Sequence, residues 1–91
     1  MSGAAFDLDA RPKLARLFRM QYEEAQQAYV LLYPEGMVKL NPSASEILKR
    51  CDGQRDVKAI VADIEQAFNA TGLEKDVTGF LALASENGWI A

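Results

Sequence analysis

The 91-residue chain is predicted to form one α+β domain, in which a three-stranded antiparallel sheet is followed by three helices. Three observations lead to this prediction. Apolar residues alternate with a period of two as far as Leu40, and from Asn41 the apolar period changes to about 3.6. A Pro-x-Gly turn at Tyr33–Gly36 separates two apolar runs and indicates a hairpin. The hydrophobic share of 49% is sufficient for a folded core.

The strands are predicted, in chain order, at Leu14–Tyr22, Gln27–Tyr33 and Met37–Leu40. The polar segment Glu23–Gln26 suits the first turn, and Pro34 and Gly36 suit the second. The middle strand is apolar on both faces, so we expect both faces to be covered. The last strand is short and stops before Asn41, which makes it a candidate edge of the sheet.

Each of the three helices has a candidate N-cap and an apolar stripe. Either Asn41 or Ser43 is expected to cap the first helix. Asp56 and Asp76 each precede a valine and are expected to cap the second and third. The stripes that we expect to face the core are Ala44, Ile47, Leu48 and Cys51, then Val57, Ile60, Val61, Ile64 and Phe68, and finally Val77, Phe80, Leu81 and Ala84.

Composition excludes several classes of function. A net charge of −3 opposes a protein that binds nucleic-acid phosphates without sequence preference. No apolar stretch approaches the roughly 20 residues of a membrane span, so no membrane partner is expected. Residues 1–10 do not form a signal peptide and are predicted to be a flexible tail preceding the domain at 11–91. The lone cysteine forms no intramolecular disulfide, which fits the cytoplasm.

No set of residues predicts catalysis, a metal site or a cofactor site. The chain has no histidine, which removes the commonest general base and metal ligand. Cys51 lies on an apolar stripe and is interpreted as a small core residue, and Trp89 as a core anchor. A basic cluster of Lys13, Arg16 and Arg19 near the first strand is either ordinary surface charge or a docking point for an acidic partner.

The remaining candidate is the edge strand at Met37–Leu40. An edge strand carries unpaired N–H and C=O groups that accept a further extended peptide, a mode of recognition called β-augmentation. The alternative is a short strand that only closes a small sheet. The residues by themselves leave both interpretations open.

Short motifs follow one another in a characteristic order from residue 11 to residue 90. They are Arg11-Pro12, Val30–Gly36 (VLLYPEG), Leu40-Asn41, Ala44, Glu46–Leu48, Cys51–Gly53, Val57, Asp76-Val77, Phe80-Leu81 and Gly88-Trp89. Together they resemble the coenzyme PQQ synthesis protein D (PqqD) family. The resemblance implies a small winged-helix-like domain that acts as a recognition element for ribosomally made, modified peptides (RiPPs).

The resemblance also implies a function and a site. PqqD-like proteins bind the precursor peptide PqqA and present it to the radical S-adenosylmethionine enzyme PqqE, with no cofactor of their own. In related recognition elements, the guest peptide adds an antiparallel strand beside the third strand, in a groove walled by the third helix. The residues implied here are Met37, Val38, Lys39, Leu40, Val77, Phe80, Leu81 and Ala84.

The sequence is compatible with alternatives for the third helix, for Gly79 and for the function. Thr78, Leu83 or Asn87 are alternative candidates for the exposed residues of the third helix. Gly79 either lets a peptide approach closely or is simply tolerated. The alternative functions are a winged-helix DNA-binding regulator and a purely structural subunit of a larger enzyme.

Overall fold

A computed structural model describes residues 7–91 and contains three strands followed by three helices. The elements are β1 (Arg19–Glu23), β2 (Ala28–Tyr33), β3 (Gly36–Lys39), α1 (Pro42–Lys49), α2 (Val57–Ala67) and α3 (Glu74–Glu86). This order confirms the predicted α+β class. No helix in the described part of the chain combines the length and apolar character needed to cross a membrane.

The sheet is antiparallel, with β2 between β1 and β3. Leu31 of β2 lies opposite Met20 of β1 and Val38 of β3, and it is fully buried in the core. These three residues therefore mark the face that the helices cover. Because successive side chains alternate between faces, Leu32 and Met37 point to the other side, which we call the outer sheet face.

The first two helices begin at side-chain caps. The Asn41 side chain accepts a hydrogen bond from the Ala44 N–H at 2.7 Å, so Asn41 and not Ser43 caps α1. The Asp56 carboxylate accepts one from the Ala59 N–H at 2.9 Å and caps α2 as predicted. Each cap satisfies a backbone donor that the helix itself leaves unpaired.

The predicted cap of α3 is wrong. The helix begins at Glu74, before Asp76, and Leu73 at the N-cap position makes no side-chain cap bond. The Leu73 N–H instead donates to the Glu65 carboxylate of α2 at 3.0 Å. Asp76 lies in the first turn, where its negative charge complements the helix dipole. A contact from another helix thus sets the start of α3, and a local motif does not reveal it.

The predicted first strand is interrupted. Regular pairing begins at Arg19, whereas Lys13 and Leu14 form isolated bridges to Asp52 and Ile90. The Ala15 N–H donates to the Trp89 carbonyl at 2.8 Å. This segment therefore joins the helical half of the chain, and a turn at residues 16–17 separates it from β1. Its apolar alternation does not reveal that its backbone partners change.

One core joins the sheet to the three helices. Most of the predicted stripe residues are buried in it. Its buried members are Leu31, Leu40, Ala44, Ile47, Leu48, Cys51, Val57, Ile60, Val61, Ile64, Val77, Leu81, Ala84 and Ile90. Phe68 was expected in this set, but 42% of its surface is exposed because it lies at the C-cap position beyond the end of α2. Trp89 is half-buried and packs against the core, as expected for an anchor.

The described part of the predicted tail lies against the start of α2. The Val57 N–H donates to the Ala10 carbonyl at 2.9 Å, and the Lys58 N–H donates to the Leu8 carbonyl at 3.2 Å. Leu8 and Ala10 also pack against the core. Residues 1–6 of the predicted tail lie outside the described residues.

Candidate functional site

The outward-facing backbone groups of β3 belong to Met37 and Lys39. The Leu40 N–H donates to the Tyr29 carbonyl at 2.9 Å, so this pair is a hydrogen-bonded one. Bonded and non-bonded pairs alternate along an antiparallel ladder, so Val38 also bonds to β2. Met37 and Lys39 therefore turn their N–H and C=O groups away from β2, towards an edge that no strand of residues 7–91 covers.

The opposite edge of the sheet follows the same rule. Tyr29 and Leu31 of β2 bond to β3. The residues that alternate with them, Ala28, Val30 and Leu32, therefore bond to β1. Met20 and Tyr22 consequently present the outward backbone groups of β1. Within the described residues the sheet thus has two open edges, and backbone geometry alone does not choose between them.

The predicted site residues on β3 divide between the two faces. Met37 and Lys39 project onto the outer sheet face and are exposed, Met37 by 49%. Val38 is half-buried on the helix-covered face, and Leu40 is buried in the core. A strand added to this edge would meet the backbones of Met37 and Lys39 and the side chain of Val38.

The predicted site residues on α3 lie mostly in the core. Val77, Leu81 and Ala84 are at most 1% exposed, and Phe80 is the one of the four with a partly exposed side chain. The helix packs against α2, and its contacts with β3 are fewer. The buried residues therefore hold α3 in place, while Phe80 is available to a ligand beside it.

Leu83 is the apolar side chain of α3 that is most exposed, at 47%. It lies three residues after Phe80 and therefore on the same side of the helix. Of the other candidates, Asn87 is exposed, whereas Thr78 is buried and donates its hydroxyl to the Glu74 carbonyl. The expectation that Thr78 is exposed is wrong, because it lies on the side of α3 that packs inward.

A pocket lies where β3 ends, and no sequence motif predicted it. Its volume is about 480 Å³, and its walls include Tyr22, Tyr29, Leu40 and Pro42. The rings of Tyr22 and Tyr29 meet edge to face, with centroids 5.2 Å apart. The β1–β2 hairpin and the start of α1 form its walls, so the pocket depends on tertiary packing.

Comparison with known proteins decides the family. Residues 28–90 match the family model of coenzyme PQQ synthesis protein D (PqqD). The chain belongs to the PqqD family. It is 51% identical over 82 residues to the PqqA binding protein of Methylococcus capsulatus, covering 90% of this chain and 88% of that one. It is 55% identical over 84 residues to the PqqA binding protein of Pseudomonas aeruginosa, covering 91% of each.

A solved structure of the PqqD family has the same fold. It is the solution NMR structure of the PqqD truncation of Methylobacterium extorquens PqqCD, described as a functional, stand-alone RiPP recognition element. The TM-score is 0.81 at 29% sequence identity, and the match covers 100% of this chain and 99% of that one. The fold described above is therefore that of a PqqD recognition element.

The thiol of this PqqD-family chain is unsuited to nucleophilic chemistry. Cys51 is 5% exposed, and its Sγ lies 3.4 Å from the Ile47 carbonyl. Burial, with a smaller contribution from the charge of Asp52, raises the pKa of the Cys51 thiol to about 12. The thiolate is the reactive form, and almost none is present at neutral pH. Within residues 7–91, no three His, Cys, Asp or Glu side chains are placed to hold a metal ion.

The charge on α3 bears on the alternative of DNA binding. Glu74, Asp76 and Glu86 lie on this helix, and Lys75 is its one basic residue. A helix that enters a DNA groove lies among phosphates and is normally rich in Lys and Arg. The negative charge of α3 therefore disfavours its use as a DNA-recognition helix.

Proposed function

We propose that this PqqD-family chain binds the precursor peptide PqqA as an added strand on the edge of β3 and presents it to the radical S-adenosylmethionine enzyme PqqE. The relatives named PqqA binding protein support the choice of ligand. The observation that carries the binding mode is the outward direction of the backbone groups of Met37 and Lys39. Both partners are proposed to meet the chain in the cytoplasm, which suits its lone, unpaired cysteine.

Backbone hydrogen bonds and apolar contacts would both contribute to the binding of PqqA as an added strand. Met37 and Lys39 together offer two N–H donors and two carbonyl acceptors, and each bond contributes about 0.5–1.5 kcal/mol net. The ordering of a flexible peptide offsets much of this gain. Apolar guest side chains must therefore supply the rest, at about 25 cal/mol per Å² buried. Val38, Phe80 and Leu83 are the partly exposed or exposed apolar side chains that would receive them.

The proposed role is non-catalytic. The chain has no histidine, and its single thiol is buried and protonated. The proposal therefore assigns all covalent change in PqqA to PqqE. Mass spectrometry of PqqA tests this point, because the peptide should keep its mass with the chain alone and change only after the reconstituted enzyme is added. A mass change with the chain alone would contradict it.

Amide hydrogen exchange, read by NMR with and without PqqA, tests the binding mode. The Met37 and Lys39 amides should exchange quickly in the free chain and become protected when the peptide binds, since the guest strand bonds to them. The Val38 amide should be protected in both states because it already bonds to β2. The Met20 and Tyr22 amides on the other edge are the matched control and should not change.

Protection of Met20 and Tyr22 in place of Met37 and Lys39 would locate the guest on β1 and overturn the proposed edge.

The affinity for PqqA should weaken only mildly as the salt concentration is raised, because apolar burial supplies much of the binding free energy. A gel-shift measurement at low salt addresses the DNA alternative. Tight duplex binding with a steep salt dependence would contradict the proposed function.

A further inference from the structure

The outer sheet face combines apolar side chains, of which Met37 is exposed and Leu32 half-buried, with cations and the carboxylate of Glu23. Leu32 and Met37 lie side by side on it, with Arg19 on the same rung across β2 and Lys39 on the next rung. Leu17, 66% exposed, lies beside them, and a shallow depression of about 280 Å³ is lined in part by Leu17, Arg19 and Leu32. The helices pack against the opposite face of the sheet, and on this face Val30 is fully buried between the neighbouring strands whereas Met37 is exposed.

The cations near this face differ from those around α1 and the start of α2. Lys49, Arg50, Arg55 and Lys58 each form an ion pair, for example Arg50 with Glu46 at 2.9 Å. Within residues 7–91, Arg16, Arg19 and Lys39 form none. An apolar patch flanked by unpaired positive charge is complementary to an apolar patch flanked by carboxylates.

We infer that the outer sheet face is the docking surface for PqqE, and that it receives an apolar patch of the enzyme surrounded by Asp and Glu side chains. This inference rests on the proposed function, because that function requires the chain to hold an enzyme and a peptide together. Met37 and Lys39 connect the two sites. Their backbones form the proposed peptide edge, while their side chains project onto the outer sheet face.

The charge of the face argues against a second copy of the chain as its occupant. Arg19 and Lys39 form no ion pair within residues 7–91, and two copies packed face to face would bring these cations against their like charges. A fourth strand supplied by the bound peptide would widen the same face by about 4.8 Å. The face is therefore suited to an acidic partner that also contacts the peptide.

The experiment measures the binding of PqqE and of PqqA separately, by biolayer interferometry at low and high salt. Arg19→Glu should lower the association rate with PqqE about tenfold at low salt, and the difference should shrink at high salt. Leu17→Ser should weaken PqqE binding several-fold through faster dissociation. Both variants should bind PqqA as the parent does, because neither residue lies at the β3 edge.

Lys75→Glu is the matched control. It reverses one charge at a residue of α3 that likewise has no ion pair within residues 7–91, and it should leave PqqE binding unchanged. Equal effects of Arg19→Glu and Lys75→Glu would overturn the inference. A dimer in sedimentation that Leu17→Ser dissociates would also overturn it, because the occupant would then be a second copy. If the parent failed to bind PqqA but Arg19→Glu still weakened PqqE binding, the docking surface would stand and the proposed function would fail.

Discussion

The rings of Phe80 and Trp89 lie 6.3 Å apart, with an angle of 48° between their planes. Aromatic pairs at this distance contribute about 0.5–1.5 kcal/mol beyond simple burial. The pair connects α3 to the C-terminal residues, so Phe80 supports the fold as well as lining the proposed groove. Leu83, almost one turn further along α3, is exposed.

Leu83→Ala should weaken PqqA binding about three- to tenfold, because the guest loses an apolar contact worth roughly 1 kcal/mol. Its free energy of unfolding should stay within about 0.5 kcal/mol of the parent, since the side chain is exposed. Leu81→Ala is the contrasting change and should cost about 2–5 kcal/mol in urea unfolding. Unchanged peptide affinity in Leu83→Ala would remove this residue from the site.

Replacement of the outward Lys39 N–H tests the β3 edge directly. Lys39→Pro removes a donor that β2 does not use, so the sheet should persist, as proline is tolerated on the open side of an edge strand. PqqA affinity should fall about tenfold through the lost bond and the bulk of the ring. Lys39→Ala is the control, because it removes the side chain but keeps the N–H, and it should bind PqqA within about twofold of the parent. Equal affinities for the two variants would contradict strand addition.

Gly79→Ala should stabilise the chain. Gly79 is exposed within α3, and a Cβ added there would have no atom within 4 Å. Alanine in a helix interior is favoured over glycine by about 0.8–1.0 kcal/mol, which urea unfolding would detect. We expect PqqA affinity to remain unchanged. A loss of affinity in the stabilised variant would show instead that the guest backbone passes close to Gly79.

Asn41→Ala should cost about 1 kcal/mol in the free energy of unfolding, because the Ala44 N–H loses its side-chain acceptor. Ser43→Ala tests the competing cap and should change stability by less than about 0.5 kcal/mol. Chemical denaturation of both variants decides between them. A larger loss for Ser43→Ala would mean that α1 begins two residues later in solution.

The buried Cys51 thiol predicts a loss of stability at high pH. Below about pH 9 the thiol is protonated in both states, so its ionisation has no effect on folding. Between pH 9 and about 12 the unfolded thiol ionises while the folded one keeps its proton. The free energy of unfolding should therefore fall by up to about 1.4 kcal/mol per pH unit from this group.

Cys51→Ala separates this effect from the ionisation of other residues. The variant should lose roughly 1 kcal/mol of packing at neutral pH, bind PqqA normally and show a shallower decline above pH 9. Slow reaction of the parent thiol with iodoacetamide at neutral pH is the companion measurement. Fast alkylation in the folded state, or parallel pH profiles for the two proteins, would contradict the buried, protonated thiol.

The spacing of apolar residues predicted the order of strands and helices. Apolar side chains must point to one core, and this requirement sets their spacing within each short segment of the chain. The stripe from Val57 to Ile64 is buried as expected. The start of α3 was misplaced because the bond between the Leu73 N–H and Glu65 joins two helices. The strand at Leu14 was overextended because its alternation continues while its backbone partners change from Asp52 and Ile90 to β2.

The sequence by itself determined the family, the three strands and three helices, and the short strand at residues 37–40 as a candidate edge. The tertiary structure alone decided which groups of that edge are free. Side-chain alternation is visible in the sequence, but the direction of each N–H depends on whether its pair with β2 is a bonded one. The bond from the Leu40 N–H to the Tyr29 carbonyl shows which pairs are bonded, and it leaves the backbone groups of Met37 and Lys39 facing outward. Packing likewise decided that Phe80, which shares the predicted apolar stripe with the buried Leu81, stays partly exposed, because it lies at the margin of the side of α3 that faces inward.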